Sequence, residues 1–112
     1  MHLSTDQREG ALIVRVEAAR IDSAVAIQFK DAMRDVTGGA ETRVLLDLSQ
    51  VEFVDSSGLG AIVAAMKVIG PGRRLDLAAL QPGVDKVFRL TRMDTIFAIH
   101  PDVESALGAH AG

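Results

Sequence analysis

Apolar positions along this chain recur with two periods, and the switches between them predict where strands give way to helices. Leu12-Ile13-Val14-Arg15-Val16 reads as a strand, with Leu3 to Arg8 as a weaker strand before it and Glu9-Gly10 as the turn of a hairpin. Val25, Phe29, Ala32, Met33 and Val36 then fall at helical spacing, separated by Gln28, Lys30, Asp31, Arg34 and Asp35. Asp22-Ser23 ahead of them offers N-cap chemistry, and Gly38-Gly39 behind them suits a left-handed C-cap. Val44-Leu45-Leu46-Asp47-Leu48 is nearly continuous in apolar residues, as expected of a central strand covered on both faces.

A second helix opens directly after Asp55-Ser56-Ser57-Gly58, with Leu59, Ile62, Val63, Met66 and Ile69 inward and a stop at Gly70-Pro71-Gly72. Arg74 to Ala79 alternates as a strand. Pro82 begins a third helix whose inner face is Val84, Val87, Phe88 and Thr91. Ile96-Phe97-Ala98-Ile99 predicts a last strand, and Pro101-Asp102 starts a terminal helix with Val103, Ala106 and Leu107 inward. The order β-β-α-β-α-β-α-β-α implies an α/β fold: a mixed, mainly parallel sheet under helical cover, the hairpin supplying an antiparallel edge.

Composition narrows the picture without redirecting it. A chain of 112 residues suits one domain, 1–112, with a core from about residue 3 to 108. Apolar residues make up 48%, but with four Phe and no Trp or Tyr the core must consist of Val, Ile, Leu, Ala and Met. The absence of Cys excludes disulfides, thiolate metal sites and cysteine catalysis. A net charge of −3, with both signs interspersed, argues against a nucleic-acid binder. No apolar run approaches the roughly 20 residues of a membrane span, and the N-terminus lacks the regions of a signal peptide. The expectation is a soluble cytoplasmic protein, monomeric by default.

The chemistry concentrates between Asp47 and Gly60, where a buried strand feeds a helix through a turn of acid, hydroxyls and glycines. Such turns occur for structural reasons alone. Asp55 or Ser56 would then cap the helix, while Gly58 and Gly60 permit close packing on the strand. Enzymatic patterns fail on particular residues. A P-loop needs a Gly-Lys-Ser/Thr ending that is missing, and a dinucleotide fingerprint needs Gly where Val63 stands. A nucleophile elbow needs Gly on both sides, but Ser57 has Asp55 and Leu59 and Ser56 has Val54. His2, His100 and His110 lie at termini or a strand end, unpaired at metal-ligand spacing. Asp47, Glu52 and Asp55 read as residues flanking and capping a turn, ahead of a weak divalent-cation site. No catalytic residue, cofactor or metal is expected.

A regulatory serine fits better. Ser57 falls at or next to the start of the second helix, where a phosphoryl group would add roughly −1.5 to −2 charges. The helix dipole tolerates such charge, an effect of ~0.3–1 kcal/mol, so the fold would survive. Asp55 beside it would make the edge strongly acidic and repel a docked partner.

Asp47-Leu-Ser-Gln-Val-Glu-Phe-Val-Asp55-Ser-Ser-Gly-Leu-Gly60 closely resembles the central motif of bacterial STAS-domain anti-sigma factor antagonists. Ile21-Asp22, the helix Pro82 to Thr91 and the stretch Pro101 to Leu107 also fall in register. The resemblance implies a small sheet with helices largely on one side, and partner switching as the function. The unphosphorylated protein would bind an anti-sigma factor that is also a serine kinase. Phosphorylation of the second motif serine, here Ser57, would release it, and a metal-dependent serine phosphatase would restore the active form. Asp55, Ser56, Gly58, Leu59 and Gly60 would shape the docking edge, with Asp22 and Ser23 in the loop beside it. Two departures stand out. Ala18-Ala19-Arg20 lacks the family's Gly before Asp22, and Arg92 replaces the Gly that usually caps the third helix. A non-Gly residue in a left-handed cap costs ~1 kcal/mol, so remodelling of that helix end is expected. STAS domains also resemble accessory parts of transporters and stress-sensing scaffolds, which makes a constitutive structural subunit the alternative reading. A nucleotide-binding enzyme has no basis beyond the glycines.

Overall fold

The computed structural model describes residues 1–39 and 43–110. β1 (Leu3–Arg8) and β2 (Ala11–Val16) form the expected antiparallel hairpin, in register from Leu3 opposite Val16 to Arg8 opposite Ala11. Its two turn residues, Glu9 at φ 51° and Gly10 at φ 79°, have the positive φ of a primed turn, whose twist matches that of the strands. There follow β3 (Arg20–Ile21), α1 (Ala26–Thr37), β4 (Arg43–Asp47), β5 (Phe53–Val54) and α2 (Ser56–Ile69). The chain continues through β6 (Arg74–Ala78), α3 (Pro82–Leu90), a 3-10 turn (Met93–Thr95), β7 (Ile99–His100) and α4 (Val103–His110).

The main sheet runs β1-β2-β4-β6-β7, parallel except for β1, and β3 pairs with β5 in a separate two-stranded parallel ribbon. β4 is central and buried along its whole length, as its continuous apolar run requires. The pleat divides it: Val44 and Leu46 join α1, α2 and α3 in the larger core, while Leu45 meets Ala106 and Leu107 of α4 on the other face. Among the described residues, three helices thus cover one side and only the short α4 the other. No helix among the described residues is long and apolar enough to cross a membrane.

The α4 face also buries charge. Asp76 accepts from Arg43 at 3.0 Å and from Arg74 at 3.1 Å, and His100 lies 3.2 Å away. A carboxylate at 3% exposure needs such company, because an unpaired buried charge is far costlier than a paired one. His2 instead pairs with Glu17 at 2.8 Å on the surface, and the side chain of His110 lies outside the described residues.

Several expectations are corrected. α1 begins at Ala26, with Val25 as N-cap and no side-chain cap, so Asp22-Ser23 does not start it. Its end at Gly38 is not left-handed (φ −65°, ψ 11°). Instead Arg73 donates to the carbonyls of Thr37 at 2.9 Å and Ile69 at 2.8 Å, closing the C-terminal ends of α1 and α2 with one side chain. Ile96 to Ile99 is not a full strand. The 3-10 turn precedes Ile96, Phe97 turns inward edge-on to Phe88 (centroids 6.3 Å apart), and pairing is confined to Ile99–His100. Thr91 is exposed rather than inward, and its hydroxyl donates to the Val87 carbonyl at 2.6 Å. Arg92 adopts the left-handed conformation itself (φ 64°, ψ 22°), so the helix end keeps its geometry without glycine.

Candidate functional site

The segment from Asp47 to Gly60 is pinned at both ends. Asp47 is buried, caps the next turn by accepting from the Ser49 amide at 2.9 Å, and pairs with Arg15 at 3.2 Å. Val51 is buried, and the Glu52 and Phe53 amides both donate to the Ala19 carbonyl, at 2.7 and 3.2 Å. These bonds lead the chain into β5 alongside β3. Asp47 and Glu52 therefore do not join Asp55, and no group of three potential metal ligands forms among the described residues.

Asp55 is the joint of the site. Its backbone is extended (φ −97°, ψ −175°), the usual conformation for an N-cap, and its carbonyl accepts from Leu59 at 2.9 Å. One carboxylate oxygen accepts from the Gly58 amide at 2.8 Å, the other from the Ser23 amide at 3.2 Å. A single side chain thereby caps α2 and ties the Asp22–Val25 turn to it. Within that turn Asp22 accepts from Ala24 at 3.1 Å and from Arg20 at 3.1 Å, while its carbonyl accepts from Val25 at 3.0 Å. Asp22 stabilises a turn, and the helix start lies beyond it.

Gly58 is buried against β3. A Cβ built on it would lie 1.9 Å from the Ile21 carbonyl oxygen, so only glycine permits this approach. A Cβ built on Gly60 would meet no described atom outside its own helix backbone within 4 Å, and the residue is exposed, so close packing does not account for it. Ser56 and Ser57 are exposed in the first turn of α2, and Leu59 is half-buried. Asp22, Ser23 and Asp55 to Gly60 thus share one edge of the molecule, with Gly58 facing inward.

Ser57 also lines a shallow depression of about 210 Å³, with Gly60, Ala61 and Ala64 from α2 and Ala26, Ile27 and Lys30 from α1. Ile27 is 71% exposed. Sequence reasoning missed Ile27 and Lys30. The available signal was an isoleucine lying off the apolar stripe of α1. It also missed the exposed Phe53, whose ring lies 4.2 Å from the Arg20 guanidinium, a cation–π contact that flanks the same edge.

A family model described as STAS domain matches residues 2–106. A Bordetella bronchiseptica protein named as a candidate anti-sigma factor antagonist, BtrV, is 29% identical over 110 residues, spanning 97% of this chain and 94% of its own length. The crystal structure of an anti-sigma factor antagonist from Mycobacterium paratuberculosis superposes with a TM-score of 0.85 at 27% identity, over 96% of this chain and 92% of the other. The Bacillus cell fate determinant SpoIIAA in its phosphorylated form superposes with a TM-score of 0.67 at 19% identity, over 96% and 98% of the two chains, a likeness of fold. With that sheet order, that helix start and a family match over nearly its whole length, the chain belongs to the STAS domain family.

Proposed function

We propose that this protein is an anti-sigma factor antagonist working as a phosphorylation-controlled switch. Unphosphorylated, it binds an anti-sigma factor with serine kinase activity. The kinase transfers the terminal phosphoryl group of ATP to the Ser57 hydroxyl, the modified protein is released, and a metal-dependent serine phosphatase reverses the change. In this reading the chain is a binder and a kinase substrate, and contributes no catalytic residue of its own.

The observation that carries the reading is the contrast between Ser57 and its neighbours. Asp55 is held by two amides and Gly58 is packed on Ile21, whereas Ser57 between them is exposed. A dianionic group can therefore be added without disturbing the cap or the core, at the helix end where negative charge is best tolerated. It would sit beside Asp55 and turn an edge that can accept a partner into one that repels it.

A capture experiment with the kinase partner and wild type, Ser57→Ala and Ser57→Asp tests this. Wild type should gain one phosphoryl group with ATP, read by mass spectrometry, and Ser57→Ala none. Ser57→Asp should bind the kinase more weakly. Full modification of Ser57→Ala would overturn the assignment of the acceptor. Equal capture of all three proteins would favour a constitutive subunit.

A further inference from the structure

The groove beside Ser57 has a charged wall as well as a small-residue floor. Ser57, Gly60, Ala61 and Ala64 recur on α2 at i, i+3, i+4 and i+7, and Ala26, Ile27 and Lys30 form the facing surface of α1. Lys30 is the one cation among these lining residues and is half-buried. No ion pair joins it to a described residue. Its neighbour Asp31 is paired with Arg34 at 3.1 Å.

We propose that Lys30 is the receiving cation for a phosphoryl group on Ser57, closing across the groove and pinning α1 to α2 when the site is modified. The inference rests on the reading of Ser57 as the modified residue and adds how the modification is held. The lysine stem can lie along the alanine floor while its ammonium, a mobile point charge on a flexible chain, meets the phosphoryl oxygens. Other charges around the site are engaged or distant. Asp55, from the turn before α2, is held by the Gly58 and Ser23 amides, and Asp22 is paired with Arg20. Lys67, on α2 itself, lies about 15 Å further along the helix at 1.5 Å per residue. Phosphorylation would then act twice, by adding negative charge to the docking edge and by filling the groove that Ile27 flanks.

The test uses the whole 112-residue chain with phosphoserine genetically encoded at position 57, so that no kinase is needed, and follows the phosphorus NMR shift through pH. Phosphoserine loses its second proton near pH 6, roughly, and a paired ammonium favours the dianion. In wild type the midpoint should lie about 0.3–0.7 unit below that of Lys30→Gln, the size expected of an exposed ion pair. Lys30→Arg should restore the lower midpoint, and added salt should shrink the difference. A residue with a merely structural role would not produce a shift that follows charge and salt. Coincident wild-type and Lys30→Gln titrations, or a Lys30→Arg curve that follows Lys30→Gln, would overturn the pairing. Failure of a kinase to modify Ser57 would instead remove the functional reading, which the encoded-phosphoserine titration does not depend on.

Discussion

Gly58→Ala should be one of the most damaging single-methyl additions in this molecule, although alanine is the better helix former. The added Cβ would meet the Ile21 carbonyl oxygen at 1.9 Å, the carbonyl carbon at 2.7 Å and Cγ2 at 3.1 Å. Two of these atoms are backbone, so no change of rotamer relieves the contact. β3 or the first turn of α2 must retreat by about 1.1 Å to reach the 3.0 Å that real Cβ contacts respect. Overpacking of this kind costs ~1–3 kcal/mol. The retreat also strains the hydrogen bond that the Asp55 amide donates to the Ile21 carbonyl, already 3.4 Å long, and the Asp55 cap, whose loss costs ~1 kcal/mol. Against this, alanine gains ~1 kcal/mol in helix propensity. The net expectation is a loss of about 2 kcal/mol in urea unfolding. Gly60→Ala is the internal control, two residues along the same helix with no described atom outside the helix backbone within 4 Å of the new methyl, and should be neutral or stabilising by up to ~1 kcal/mol. Equal midpoints for the two variants, or Gly58→Ala at or above wild type, would refute the close-approach argument.

Asp55→Ala removes the acceptor of both the Gly58 and Ser23 amides, and should destabilise by ~1–2 kcal/mol in denaturant while shifting both amide resonances. A Ser23 amide that did not move would show that the carboxylate does not bridge the two segments. Arg92→Gly relieves a left-handed non-glycine residue (φ 64°) and should raise the thermal midpoint, by up to ~1 kcal/mol in stability. Asp102 accepts from the Ser105 amide at the start of α4, which lowers its pKa below the ordinary carboxylate value. Its contribution is therefore present above the unfolded-state pKa and disappears as pH falls through the lowered folded value. The Ala106 and Leu107 methyl signals should report loosening of α4 over that acid range, and Asp102→Asn should abolish this pH dependence.

Periodicity made much of this fold legible, and the failures share a cause. β4 could be read as a central strand from its unbroken apolar run, and α3 from Pro82 and its spaced inner face, because those signals lie within a few residues of one another. β3 and β5 have two residues each and no period to detect, and they exist because Arg20 finds Phe53 and Ile21 finds Val54 across more than thirty positions. Ile96 to Ile99 has the composition of a strand, but Phe97 packs on Phe88 and only Ile99–His100 pairs with β6. At the site, the motif singled out Asp55, Ser57 and Gly58 as a group. It could not assign Gly58 to a carbonyl of β3, nor show that one carboxylate serves both α2 and the turn after β3.

The amino-acid sequence by itself determined the alternation of strands and helices, the glycine-framed start of α2 and the place of Ser57 in its first turn. These follow from local sterics, capping chemistry and the burial period of each segment. The tertiary structure alone decided that Gly58 seats on Ile21, that Arg73 closes two helix ends, and that Ile27 and Lys30 stand beside Ser57. Each of these depends on how distant segments approach one another. Such approaches are set by the packing of the whole core, and the order of residues along the chain carries no direct trace of them.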